Sequence, residues 1–316
     1  MKERKELNYD IAILGGGPAG LAASIYAARG TYKTAIIDTG VLGGQVNNTL
    51  EIENFPGYQI IGGFDLIEKF EAHADKFNVD KYILQEITNV DLSGEIKTVE
   101  TLEHIIKAKA VIIATGAQPQ KLGVPGENEF AGRGVSYCAV CDGAFFRDKV
   151  VSIIGGGNAA IEEAIYLTKF ASSVNVIHRR DSLRAEKLYQ ERAFSNPKIN
   201  FIWNSVVKEI KGQDKVESIV IENIKTGQIS ETKTDGVFPY IGFVPNSELF
   251  ADMLQLDNKG FIITNADLST NCRGVYAAGD VRVTPLRQVI VAAADGAISA
   301  TSAIRYLDEA KIAFSV

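Results

Sequence analysis

Gly15-Gly16-Gly17-Pro18-Ala19-Gly20 decides the fold. The six residues follow an apolar run, residues 9–14, and precede an Ala-rich stretch that continues to about Arg29. A buried strand, a glycine turn and a helix in that order open a βαβ unit. Gly15 permits the tight turn, Gly17 lets backbone approach a pyrophosphate, and Gly20 lets helix and strand pack closely, with Pro18 and Ala19 completing the loop. The pyrophosphate then meets the free N–H groups at the helix N-terminus. Residues 33–38 form the next strand, and eighteen residues beyond Gly20 it ends in Asp38. An acid there accepts hydrogen bonds from a free ribose diol, as in NAD or FAD.

The same design returns 140 residues later. Residues 150–154 are a strand, Gly155-Gly156-Gly157-Asn158-Ala159-Ala160 follows, and Ile161, Ala164, Ile165 and Thr168 then repeat at helical spacing. Ala160 stands where the fingerprint has its third glycine, a change the fingerprint tolerates. Residues 174–178 are the following strand. Eighteen residues beyond Ala160 the chain has His178 and no acid, and Arg179, Arg180 and Arg184 come next. A carboxylate repels a 2′-phosphate, whereas guanidinium groups clamp it, so this loop is expected to take NADP. The plain alternative for the arginines is a solvated charged loop.

Two glycine loops in strand–helix context predict an α/β chain with two dinucleotide-binding, Rossmann-like domains, the second inserted in the first. Residues 110–114 form a short apolar strand ending in Thr115-Gly116, and residues 274–278 form another, ending in Gly279-Asp280. A final helix is expected over about 288–307. Pro119 and Pro125 mark residues 118–126 as a linker, and Gly242-Phe243-Val244-Pro245-Asn246 reads as the return crossing. The expected division is residues 1–117 with 246–316, and residues 118–245.

Cys138-Ala139-Val140-Cys141 precedes Asp142-Gly143, and the one further cysteine is Cys272. Zinc needs four N or S ligands. With His73, His104 and His178 scattered along the chain, no metal site is expected. A redox pair needs only two adjacent sulfurs and one activated thiol, which C-x-x-C supplies. Asp142 is placed to move a proton to or from a thiol, unless it is simply a turn residue before Gly143. Net charge is −6 without a basic block, which argues against a nucleic-acid partner. No run reaches the roughly 18 apolar residues of a spanning helix. The first residues, MKERKELNYD, lack the apolar core of a secretory signal, so a cytoplasmic protein without membrane attachment is expected.

Together these motifs resemble the low-molecular-weight bacterial thioredoxin reductases. The resemblance spans the chain: the cysteine pair with Asp142-Gly143, GGGNAAIEEA (155–164), HRRDSLRAEK (178–187), GGGPAG (15–20), GGQ (43–45), ENFPG (53–57), ATGAQP (114–119) and AAGDV (277–281). It implies FAD in the split domain, on Gly15, Gly17 and Gly20, with Asp38 on the adenosine ribose. Thr115, Gly116 and Gly279 would line that site, Gly44, Gln45 and Asn54 would lie near the flavin, Asp280 on its ribityl chain, and Arg287 and Gln288 beside the ring. It implies NADPH in the inserted domain, on Gly155, Gly157, Asn158 and Ala159, with His178, Arg179, Arg180 and Arg184 at the 2′-phosphate end. By the same resemblance Cys141 faces the flavin, Cys138 attacks thioredoxin, Asp142 is the general acid, and the protein is a homodimer.

The implied path runs from NADPH through FAD and the cysteine pair to thioredoxin. The dithiol and the second loop share one domain and need the same flavin, so that domain is expected to rotate about the crossings near 118 and 245. Alternatives are a reductase of another thioredoxin-like or glutaredoxin-like protein, an NADPH oxidase, and a flavin sensor without turnover. The stretch RQVIVAAADG (287–296) is more apolar than in some relatives, and its sequence offers no reason.

Overall fold

The computed structural model describes residues 4–49, 52 and 54–313; the side chains of residues 48, 140, 141 and 311–313 lie outside that description. Among the described residues the helices are, in chain order, α1 (Pro18–Arg29), α2 (Gly63–Asp75), α3 (Ala139–Asp142), α4 (Asn158–Leu167), α5 (Lys187–Phe194) and α6 (Val289–Ala313). The chain forms two compact units. One holds the residues up to Gln118 and those from Val244 onward; the other is Pro119–Phe243.

The first unit is built on a seven-stranded mixed sheet. Lys5–Leu14 runs parallel to Thr34–Ile37 on one side and to His104–Ile113 on the other. The far edge of His104–Ile113 is shared: its first half pairs antiparallel with Lys97–Thr101, its last three residues parallel with Val275–Ala277. Residues 11–14 and 110–113 are wholly buried and apolar, as expected of strands covered on both faces. The first strand begins at Lys5, four residues before the apolar run, because Lys5–Asn8 pair in register with His104–Lys107 while their side chains stay largely exposed.

Small residues decide how the helices close on this sheet. A Cβ on Gly296 of α6 would sit 2.1 Å from the Ala19 carbonyl oxygen of α1, so the two helices meet backbone to backbone. Ala292, Ala300 and Ala303 extend that contact, all buried in one core with Ala19, Ala23 and Ala27. Of the apolar stretch at 287–296, only Ala292 and Gly296 lie in this contact; Ile290 is exposed and Val289 packs against the Ile52, Ile61 and Leu66 cluster, so the packing of α1 explains only part of it.

The second unit carries a parallel four-stranded sheet in the order Ile199–Ile202, Ser173–Ile177, Val150–Ile154, Gly236–Pro239. Beside it lies an antiparallel three-stranded sheet of Ser205–Gly212, Val216–Asn223 and Ile229–Lys233. Val151, Ile153, Val174, Val176 and Phe238 form the parallel sheet's core with Ile161, Ala164 and Leu167 of α4. Each glycine loop leaves the C-terminal end of its strand and enters a helix, the arrangement that opens a nucleotide crevice.

Candidate active site

In the second unit Cys138 is disulfide-bonded, whereas Cys272 is free. Cys138 is half-buried, and Ser136 brackets it: the Ser136 hydroxyl accepts the Cys138 amide N–H at 3.1 Å and donates to the Cys138 carbonyl at 3.2 Å. Ala139, next in line, is fully buried and starts α3. Its N–H donates to the Tyr240 hydroxyl at 3.0 Å. Burial, then the negative charge of Glu163, pushes the Tyr240 hydroxyl well above the usual phenol range, so it stays protonated. The Cys141 backbone belongs to α3, but its side chain lies outside the described residues. Asp142 closes α3 and precedes the turn Gly143–Phe146, which it does not cap with its side chain. That leaves the carboxylate uncommitted to the turn.

The second glycine loop is fitted to a bare backbone. A Cβ on Gly155 would meet the Tyr240 carbonyl oxygen at 2.5 Å, and one on Gly156 would strike the His178 ring at 2.5 Å, while Gly157 faces open space. The arginine segment is tied to the same loop: the amides of Arg184 and Ala185 both donate to the Gly156 carbonyl, at 2.7 and 3.1 Å. Asn158 is held by Glu186, its Nδ2 donating to Oε1 and its Oδ1 accepting the Glu186 amide, both at 2.8 Å. Arg179, Arg180 and Arg184 are exposed and form no ion pair among the described residues. Behind them His178 is buried, and its Nε2 has no hydrogen-bond partner. Burial, then the charge of Arg184 with Arg180 and Arg179, holds the imidazole below its usual range, so it is neutral near pH 7. Three uncompensated guanidiniums around a neutral ring form a ready site for a phosphate dianion.

In the first unit a Cβ on Gly20 would lie 1.9 Å from the Gly15 carbonyl, whereas Gly17 again faces open space. Asp38 steadies the loop, its Oδ2 accepting the Gly16 amide at 2.5 Å and its Oδ1 that of Gly40 at 2.7 Å. Asn54 Nδ2 donates to Gln288 Oε1 at 2.8 Å, which joins two residues 234 apart in sequence. Gln45 is exposed, and Gly44 turns with a positive φ of 56°. Thr115 and Gly116 are both tied to Asn246. The Thr115 hydroxyl donates to the Asn246 carbonyl at 2.7 Å, and the Asn246 amide donates to the Gly116 carbonyl at 2.9 Å. The Gly279 amide donates to Asp295 at 3.0 Å, and Arg282 pairs with the same oxygen at 3.0 Å. Burial, the larger effect, raises the Asp280 carboxyl against the pull of Arg287. Arg287 lies over the Phe261 ring at 4.2 Å, and its Nε is buried without an acceptor.

The sequence pattern of the pyridine nucleotide-disulphide oxidoreductases matches residues 9–296, both glycine loops and the cysteine pair included. The chain belongs to this family. It is 49% identical to the thioredoxin reductase of Peptoclostridium acidaminophilum over 95% of this chain and 97% of that one. It is 47% identical to that of Bacillus subtilis over 96% of each. Among solved structures, Lactococcus lactis thioredoxin reductase is similar with a TM-score of 0.90 at 46% identity, covering 95% of this chain and 99% of that one. As a member of this family the chain is a flavoprotein disulfide reductase that uses FAD and NADPH.

The residues present fit both groups. Gly17 and Gly157 leave open the space a pyrophosphate needs, and the orphaned N–H of Arg287 and the unpaired arginines at 179–184 lack the acceptors that a flavin and a phosphate carry. Three contributors escaped the sequence reading. Asp295 anchors the Gly279 turn, Tyr240 holds the start of α3, and Glu163 lies beneath it. Only Glu163 carried a signal, an acid flanked at helical spacing by the buried Ala160 and Leu167.

Proposed function

We propose that the protein is an NADPH-dependent thioredoxin reductase whose working dithiol is Cys138 with Cys141. The observation that carries this is a disulfide-bonded Cys138 in the same compact unit as a glycine loop ringed by unpaired arginines. On this reading the Pro119–Phe243 unit takes NADPH and the other takes FAD, on the residues named above. When bound, FAD accepts two electrons from NADPH and passes them to the cysteine pair. The Cys138 thiolate then attacks the partner's disulfide, and the partner's first sulfur leaves as a thiolate. Cys141 next attacks Cys138, which releases the second sulfur and restores the disulfide. Asp142 is the group that gives and takes the proton.

The dithiol and NADPH loop belong to one unit and serve one flavin, so turnover includes a rotation about the crossings near 118 and 245. A soluble cytoplasmic homodimer completes the proposal; no helix among the described residues is long and apolar enough to cross a membrane. The test is NADPH oxidation with a panel of thioredoxins and glutaredoxins from the same organism. Rapid turnover with a thioredoxin is expected. Turnover with glutaredoxins alone would reassign the partner, and oxidation of NADPH by oxygen that survives Cys138→Ser would make the protein an oxidase.

A further inference from the structure

Glu163 is an acid on the packed face of a helix. It lies on α4 between Ala160 and Leu167, which are both fully buried. Leu167, one turn further along, reaches within 3.1 Å of where a Gly143 Cβ would sit, so α3 and the turn after it lie along this face. One carboxylate oxygen of Glu163, Oε2, is buried with no hydrogen-bond partner. Tyr240 reaches the same place from the end of Gly236–Pro239. Its hydroxyl oxygen accepts the Ala139 N–H at 3.0 Å, which leaves its own proton to give. Glu162, on the same helix, acts on Glu163, and Glu163 and Asp142 both act on the Tyr240 hydroxyl.

We propose that Glu163 is a second proton-holding carboxyl of the redox centre, a positioning residue that acts through Tyr240 and α3 to set how readily the reduced cysteine pair forms a thiolate. This rests on the reading of Cys138 and Cys141 as the working dithiol. Two electrons and one proton convert the disulfide into one thiol and one thiolate. While Glu163 is protonated, it adds no negative charge beneath α3. Once Glu163 ionises, a second buried negative charge opposes the thiolate. Burial, then the charge of Glu162, raises the Glu163 carboxyl to about 7, so its state changes within the working range of a disulfide reductase.

The experiment is alkylation of the NADPH-reduced holoenzyme with iodoacetamide between pH 5.5 and 9.5, with label on each cysteine read by peptide mass. The wild type is expected to show a broadened profile with a shoulder near pH 7. Glu163→Gln should give a single steeper titration displaced to lower pH by about one unit, and alkylation several-fold faster near pH 8. Glu163→Asp should keep the shoulder. Superimposable wild-type and Gln profiles would overturn the proposal. The parent reading is judged separately: if NADPH reduction exposes neither Cys138 nor Cys141 to label, the dithiol assignment fails whatever Glu163 does. Should the Gln variant lose its flavin, pH-difference infrared spectra of the wild-type holoenzyme decide. A carboxylic C=O band that titrates near pH 7 and shifts in Glu163→Asp supports the assignment, and its absence overturns it.

Discussion

The Ala139 N–H donates to the Tyr240 hydroxyl across 3.0 Å, and this bond joins the start of the cysteine-bearing helix to the residue that follows the edge strand Gly236–Pro239. Ala139 is fully buried, so its amide has no water to turn to. Tyr240→Phe keeps the ring and removes the acceptor. A buried amide left unpaired costs about 1–3 kcal/mol, and that cost falls on the geometry of α3. Disulfide turnover is expected to drop at least several-fold while NADPH still bleaches the flavin under anaerobic conditions. Stopped-flow absorbance separates the two steps. Equal losses in both would mean that Tyr240 serves the whole unit and not the dithiol.

The cysteines themselves allow a sharper separation. Cys138→Ser or Cys141→Ser should abolish thioredoxin reduction and leave flavin reduction by NADPH intact, because hydride delivery needs neither sulfur. Loss of flavin reduction in either variant would contradict this division of labour.

Arg184 is placed by its own backbone, which donates to the Gly156 carbonyl at 2.7 Å and so ties the arginine segment to the glycine loop. Charge-assisted bonds to a phosphate are each worth about 1.5–3 kcal/mol. Replacing Arg179 and Arg184 with Ala should therefore raise KM for NADPH by at least about tenfold, with NADH little affected. Parallel losses for both nucleotides would remove the 2′-phosphate assignment.

The two open glycines differ in kind from the two crowded ones. Gly17→Ala meets nothing within 4 Å in the chain itself, so the variant should fold yet hold FAD weakly, its methyl group standing where the pyrophosphate comes closest. Gly20→Ala would drive a methyl into the Gly15 carbonyl at 1.9 Å and should disrupt the loop itself. The flavin-to-protein absorbance ratio and circular dichroism of the purified variants distinguish weakened binding from a broken fold.

How far this was legible in sequence depends on the range of the interactions. The glycine loops, Asp38, the missing acid at His178 and the cysteine pair were readable because each is a local pattern with a fixed spacing. The start of the first strand at Lys5 was not, since three of residues 5–8 are polar and they pair because His104–Lys107 lie alongside. Asn54 with Gln288, Gly279 with Asp295 and Ala139 with Tyr240 are separated by long stretches of chain and leave no periodicity. The close approach of α6 to α1, the carbonyl of Ala19 against Gly296, exists only once both helices are packed.

Glu163 also predicts how stability responds to pH, and its sign is opposite to that of the surface acids. Asp91, Glu100, Asp181 and Glu231 gain hydrogen bonds on folding, which holds their carboxyls below the usual range, so their contributions are lost as the medium is acidified. The Glu163 carboxyl is raised from 4.5 to about 7 by burial and by Glu162. Between those values the folded chain binds a proton that the unfolded chain has released, so stability falls as pH rises through that window, and the penalty is complete above it. Glu163→Gln removes the titration. The variant should therefore gain on the wild type as pH climbs from about 4.5 to about 7.5, by at most about 3 kcal/mol. Thermal unfolding of both holoproteins, followed by flavin fluorescence across that range, measures the difference. A Tm gap that stays constant with pH would show that Glu163 is not the group titrating beneath α3.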